Sequence, residues 1–138
     1  MLTDEEVKAL ISFRPRTDEE KLKHCLMAFV LGLGWSARWI HTLLMDDVSL
    51  SGGYVILRLR AKVRIVVLPQ WVKQALRWYH ETRPISLTPN PYFIRIGYQE
   101  SVLLRLVNEH TERLLGRSVP TRQLWLTARN AVATPRRT

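Results

Sequence analysis

The chain has 138 residues, a formal charge of +9 and 46% hydrophobic residues, which is the size of one domain and too apolar for a disordered chain. Its lone cysteine, Cys25, excludes an intramolecular disulfide and offers no metal-ligand spacing, and the longest apolar run, 25–35, is too short to span a bilayer. The first residues are acidic where a secretory signal would be basic, so a soluble, cytoplasmic protein without membrane partner, metal or cofactor is expected.

The distribution of charge says more than its total. Residues 1–47 hold eight acids and six Lys/Arg, a sum of −2, whereas residues 48–138 hold four acids and fifteen Lys/Arg, a sum of +11. A field of that sign attracts a polyanion by counterion release and steering, which points to nucleic acid.

In chain order, Thr3-x-x-Glu6 and Thr17-x-x-Glu20 are capping boxes, and they predict helices over 4–13 and 18–33. Leu22, Cys25, Leu26, Phe29, Val30 and Leu33 give the second helix a core-facing stripe. Gly32 and Gly34 end it. Ser36 then caps a helix over 37–45 that is expected to bury Trp39, Ile40, Leu43 and Leu44. The pair has the form of a helix-turn-helix, but its second helix offers little beyond Arg38, His41 and Thr42 to read bases.

After Gly52-Gly53 the apolar period changes from 3.6 to 2, which predicts a β-hairpin over 54–68. Val55, Leu57, Leu59, Val63, Ile65 and Val67 share one parity; Arg58, Arg60, Lys62 and Arg64 share the other. A three-residue loop at Arg60-Ala61-Lys62 would keep one face apolar and one basic, with Arg58 opposite Arg64, whereas a two-residue loop would scramble the faces. An edge hairpin protected from aggregation by its cations accounts for the same pattern without any ligand.

Pro69 opens a helix to about 82, with Trp71, Val72, Ala75, Leu76 and Tyr79 inward and Lys73 and Arg77 outward. No acid lies between Asp47 and Glu81, so six cations across hairpin and helix have no neutralising neighbour in sequence. A Pro-rich connection over 83–98 carries the aromatic pair Tyr92-Phe93. Helices over 99–115, ended by Gly116, and 121–133 complete the pattern. One domain over 1–138 is expected: an N-terminal helix in 1–16, a core over 17–133 and a basic tail over 134–138.

The order of elements and their local motifs resemble the catalytic domain of tyrosine recombinases, the phage-integrase family. Leu33-Gly34-Trp35-Ser36 is similar to the family's Gly-Leu-Arg turn, Asp46-Asp47-Val48-Ser49-Leu50 to its acidic segment, and Arg64-Ile65-Val66-Val67-Leu68-Pro69 to its hairpin end. Ser118 to Ala128 is similar to the segment that carries its His-x-x-Arg. The resemblance implies an α+β, mostly helical fold with helices packed around a small antiparallel hairpin or sheet. It places the first catalytic arginine on Ser36 and the His-x-x-Arg pair on Arg122 and Trp125, and the hairpin lysine nearest Arg60 or Lys62. Neither arginine is kept, and no tyrosine follows Tyr98. A competing register matches 91–95 to the second-arginine segment and sets Trp125 near the nucleophile position.

These readings lead to a truncated, catalytically silent, integrase-like domain that is expected to bind duplex DNA as an accessory or regulatory protein such as a mobile element carries. Arg58, Arg60, Lys62, Arg64, Lys73 and Arg77 are the expected phosphate contacts, with Arg122 and Arg129 secondary. The alternative is a protein-interaction module that forms a homodimer or partners a full-length recombinase. Third comes an active nuclease or recombinase, which would need Lys62, His110 or Arg122 to converge on a phosphate, with a nucleophile from outside the assigned pattern.

Overall fold

A computed structural model describes residues 2–82, 91–94 and 100–133, with side chains described to Arg129. Both capping boxes form: Thr3 accepts from the Glu6 amide while Glu6 accepts from the Thr3 amide, and Thr17 and Glu20 do the same. They start α1 (Asp4–Ser12) and α2 (Asp18–Met27). Instead of running to 33 as a regular α-helix, α2 widens into a π-helical turn over Ala28–Gly32. Gly34, at φ +69°, then ends it, with the Gly34 and Trp35 amides closing on the Val30 and Phe29 carbonyls. Within this turn Gly32 lies against Val72, where a Cβ would fall on Val72 Cγ2.

Ser36 caps α3 (Ala37–Thr42), which is shorter than expected. The Thr42 hydroxyl donates back to the Arg38 carbonyl at 2.9 Å, a bond that competes with the helix ladder at its end. Ala37 and Ile40 face the core, so Trp39 falls on the outer side and is 38% exposed. The expectation that Trp39 is core is therefore corrected. After a 3₁₀ turn over Met45–Asp47, the short strand β1 (Val48–Ser49) adds to the hairpin strands β2 (Tyr54–Arg58) and β3 (Val63–Val67) in an antiparallel sheet of order β1-β2-β3.

The hairpin register differs from the expected one by one residue. Leu59 and Lys62 exchange both backbone hydrogen bonds, so the loop is the two residues Arg60-Ala61. Leu57 pairs with Arg64 and Arg58 with Val63. A one-residue slip turns every side chain of a strand to the other face. The cause lies in Ile65-Val66-Val67-Leu68, a continuous apolar run that fits either phase. Leu68, buried and bonded through its amide to the Gly53 carbonyl at 2.8 Å, takes the inward phase together with Val66. Val63, Ile65 and Val67 consequently point outward and are 57%, 65% and 77% exposed. Arg58 and Arg64 lie on opposite faces, and the single basic face does not form.

Pro69 leads into α4 (Gln70–Glu81), which buries Val72, Ala75, Leu76 and Tyr79 as expected. It packs on α2, as does α5 (Glu100–Leu115) from another side. The last helix, α6 (Thr121–Ala133), rests on the π turn. Within the Pro-rich connection, the described residues 91–94 run alongside 43–45: the Phe93 amide donates to the Leu43 carbonyl, and Phe93 and Ile94 are buried. One apolar core joins α1 to α6 with the hairpin base. No described helix is long and apolar enough to cross a membrane. The expected tail over 134–138 lies outside the described residues.

Candidate nucleic-acid interface

Seven of the eight cations singled out in the sequence fall into three groups. Arg60 and Lys62 stand exposed at the hairpin tip, with Arg64 exposed just below them. On α4, Arg77 is exposed and Lys73 half-buried, its Nζ close to where a Cβ on Gly53 would sit. Arg122 is exposed in the first turn of α6 and Arg129 further along it. Among the described residues none of these seven forms an ion pair.

Arg58 differs. Its Nη2 donates to Asp47 Oδ1 at 2.9 Å and its Nε to both carboxylate oxygens at 3.1 and 3.2 Å. Asp47 is 3% exposed, so this is a forked pair with one partner buried. The Asp47 carboxylate raises the Arg58 pKa, through the hydrogen bonds first and charge second. Nothing in the sequence spacing distinguishes Arg58 from Arg60 or Arg64; the pair exists because the 3₁₀ turn sets Asp47 beside the end of β2.

Two cavities adjoin Trp39. One, of about 160 Å³, also touches Thr42, Asp47, Leu57 and Arg58. The other, of about 380 Å³, lies between the end of the π turn and α6. Ser36 and Trp125, the positions onto which the resemblance carries the two arginines, both line this larger cavity, with Arg129 beside them. Trp125 is fixed by its indole N–H, which donates to the Trp35 carbonyl at 2.8 Å. Trp39 stands edge-on to Trp35, ring centres 6.1 Å apart. Sequence reasoning missed Trp39 as a surface residue because its spacing from Ile40 and Leu43 fits a buried stripe equally well.

His110-Thr111-Glu112-Arg113 is a structural element away from these cavities. His110 Nε2 lies 3.4 Å from His24 Nδ1 in the seam between α2 and α5, both rings buried and Phe13 edge-on to His110. Burial pushes both histidines down to about 4, and for His110 the neighbouring His24, Lys23 and Arg113 add to it. Arg113 instead pairs with Glu20 at 3.0 Å. His110 therefore does not converge with Lys62 or Arg122 on an exposed phosphate position. Cys25 is fully buried, and burial raises its thiol pKa, the pattern of an unreactive core thiol. Among the described residues no group of three His, Cys, Asp or Glu is placed to hold a metal ion.

No protein-family model matches the sequence, and no curated protein matches it. Solved structures do. XerA recombinase superposes with a TM-score of 0.77 at 22% identity, over 96% of this chain and 50% of that one. The integrase of mycobacterium phage Brujita superposes with a TM-score of 0.66 at 14% identity, over 95% of this chain and 43% of that one. The chain thus spans half or less of the length of either, and what it shares with them is the fold, a mostly helical domain with a small antiparallel sheet.

Proposed function

We propose that this chain, a domain with the tyrosine-recombinase fold, binds duplex DNA by its phosphate backbone and carries out no strand transfer itself. The observation that carries the reading is the stretch between Asp47 and Glu81: six cations and no acid in sequence, of which only Arg58 is ion-paired among the described residues. Arg60, Lys62 and Arg64 approach the phosphates from the hairpin, and Lys73 and Arg77 from α4. Arg129 adds a contact at the larger cavity, and Arg122 one from the first turn of α6. Phosphate contacts of this kind fix a protein on DNA without reading sequence.

Catalytic silence is supported by what lines that cavity. Ser36 and Trp125 stand where the resemblance puts two arginines, and neither side chain can offset charge developing on a phosphate. Removing one such stabiliser typically costs on the order of 10²–10³ in rate. The role that remains is an accessory or regulatory one in DNA recombination, such as a mobile element would use.

The test is a gel shift with random duplex at two salt concentrations. Affinity is expected to fall steeply with salt for the natural chain and to be weak at both concentrations for Arg60→Ala with Lys62→Ala and Arg64→Ala. Salt-independent binding, or unchanged binding by the triple variant, sinks the reading. A nicked product or a covalent protein–DNA adduct from a suicide substrate would sink its silent part.

A second reading draws on the outward stripe Val63, Ile65 and Val67, an apolar surface on an edge strand. It makes the domain an interaction module that pairs with a second copy or with a full-length recombinase. Sedimentation of the pure protein with and without DNA separates the two: a DNA-independent dimer that Ile65→Lys dissociates supports the second.

A further inference from the structure

The 380 Å³ cavity is built unlike a phosphate site. Two indoles, Trp39 and Trp125, line it, and both are held by Trp35, one by a hydrogen bond to its carbonyl and one edge-on to its ring. Trp35 is itself 2% exposed and stacked on Phe29, 5.2 Å between centres, so the aromatic walls are anchored to the core before any ligand arrives. Small residues keep the space open: a Cβ on Gly34 would stand 3.5 Å from Ala128 Cβ.

The polar groups are few. Ser36 accepts a bond from the Trp39 amide at 3.4 Å, which leaves its hydroxyl proton to donate. Arg129 is exposed and forms no ion pair among the described residues. Aromatic planes, one hydroxyl and one cation at the rim match a flat heterocycle joined to an anion. A volume of this size is at the small end of ligand sites. Arg129 at its rim is one of the proposed phosphate contacts, so the site continues the proposed DNA surface.

We infer that this cavity takes one unstacked nucleobase of the bound DNA, its ring against the Trp39 and Trp125 indoles and its phosphate on Arg129. The inference rests on the DNA-binding reading above. Base–aromatic stacking tolerates any base, because every base has a π-face. The domain then prefers DNA with an unpaired position to fully paired duplex, a preference that phosphate contacts alone do not create.

The experiment compares three fluorescein-labelled duplexes by anisotropy: fully paired, with one central bulged base, and with the bulge abasic. The bulged-base probe is expected to bind about tenfold tighter than the paired one, the scale of one stacked base, and the abasic bulge to behave like the paired probe. Trp39→Ala brings all three together, and Trp39→Phe restores the order; Trp39 is exposed enough that a thermal melt verifies both variants as folded. Equal affinities in the natural chain, or a preference that survives Trp39→Ala or the abasic bulge, overturn the base site while leaving duplex binding intact. Failure to bind any probe at low salt overturns the DNA reading itself. Self-association abolished by Trp39→Ala, with no preference among the probes, assigns the cavity to a second copy of the chain and overturns the base site.

Discussion

His24 and His110 share one hydrogen bond in a buried seam, which requires one ring to donate and the other to accept, and burial favours both rings neutral. Their folded pKa values, about 4, lie below the unfolded value near 6.5, so the unfolded chain binds more protons between these limits. Stability is therefore full above about pH 6.5 and lost as pH falls toward 4. Glu20, Lys23, Glu109 and Arg113 surround the pair through the links Lys23–Glu109 and Arg113–Glu20. Urea unfolding is expected to lose about 2–4 kcal/mol from pH 7 to pH 5, and His110→Phe to lose roughly half of that dependence; a flat profile from pH 7 to 5 contradicts the neutral pair. Arg58 gives a second expectation. Because Asp47 already offsets its charge, Arg58→Ala should change the log–log salt slope of DNA binding by clearly less than Arg60→Ala or Lys62→Ala, each of which should lower it by about 1. Salt titrations of the three single variants decide this. The sequence disclosed these arginines as a group; which one is paired depends on a turn eleven residues upstream, and spacing does not encode that.

The hairpin shows where pattern reading ends. Its strands were legible from the period-2 run, and the first two helices from capping boxes at Thr3 and Thr17, because a cap is a local bond between residues three apart. The register was not, because Ile65-Val66-Val67-Leu68 supplies apolar side chains in both phases and the choice is made by Leu68, buried in the core and bonded to Gly53. Mutational cost tells the two registers apart. Leu57→Ala, on the buried face, is expected to cost about 2–4 kcal/mol, whereas Ile65→Thr on the outward stripe stays within about 0.5 kcal/mol. Chemical denaturation of the pair measures both, and a large loss at Ile65 would restore the uniform-face register. The same limit hid the cavity: Ser36 and Trp125 were legible as positions that lack arginine, but their meeting in one cavity, 89 residues apart in sequence, is tertiary.

Across the molecule, charge and packing follow different boundaries. The acidic first third contributes α1 and α2, which the core binds to α4 and α5 from the basic part, and the Glu6–Arg117 fork at 2.7 and 2.9 Å ties α1 to the segment before α6. With one core joining both parts, thermal unfolding is expected as a single transition in which far-UV and near-UV circular dichroism coincide. Separate midpoints for the two signals would mean that the hairpin or α6 opens independently of the core.

The π turn at Ala28–Gly32 has the last consequence. A wide turn holds one residue more than a regular one, and in an α-helix one residue is about 100° of rotation. Deleting a residue there would leave α2 a continuous helix yet swing everything from Gly34 to Trp39 around its axis, away from Trp125. The domain's fold and the mouth of its cavity are thus separable by one peptide unit, and the length of a single helical turn sets which side chains the two halves of the chain present to each other.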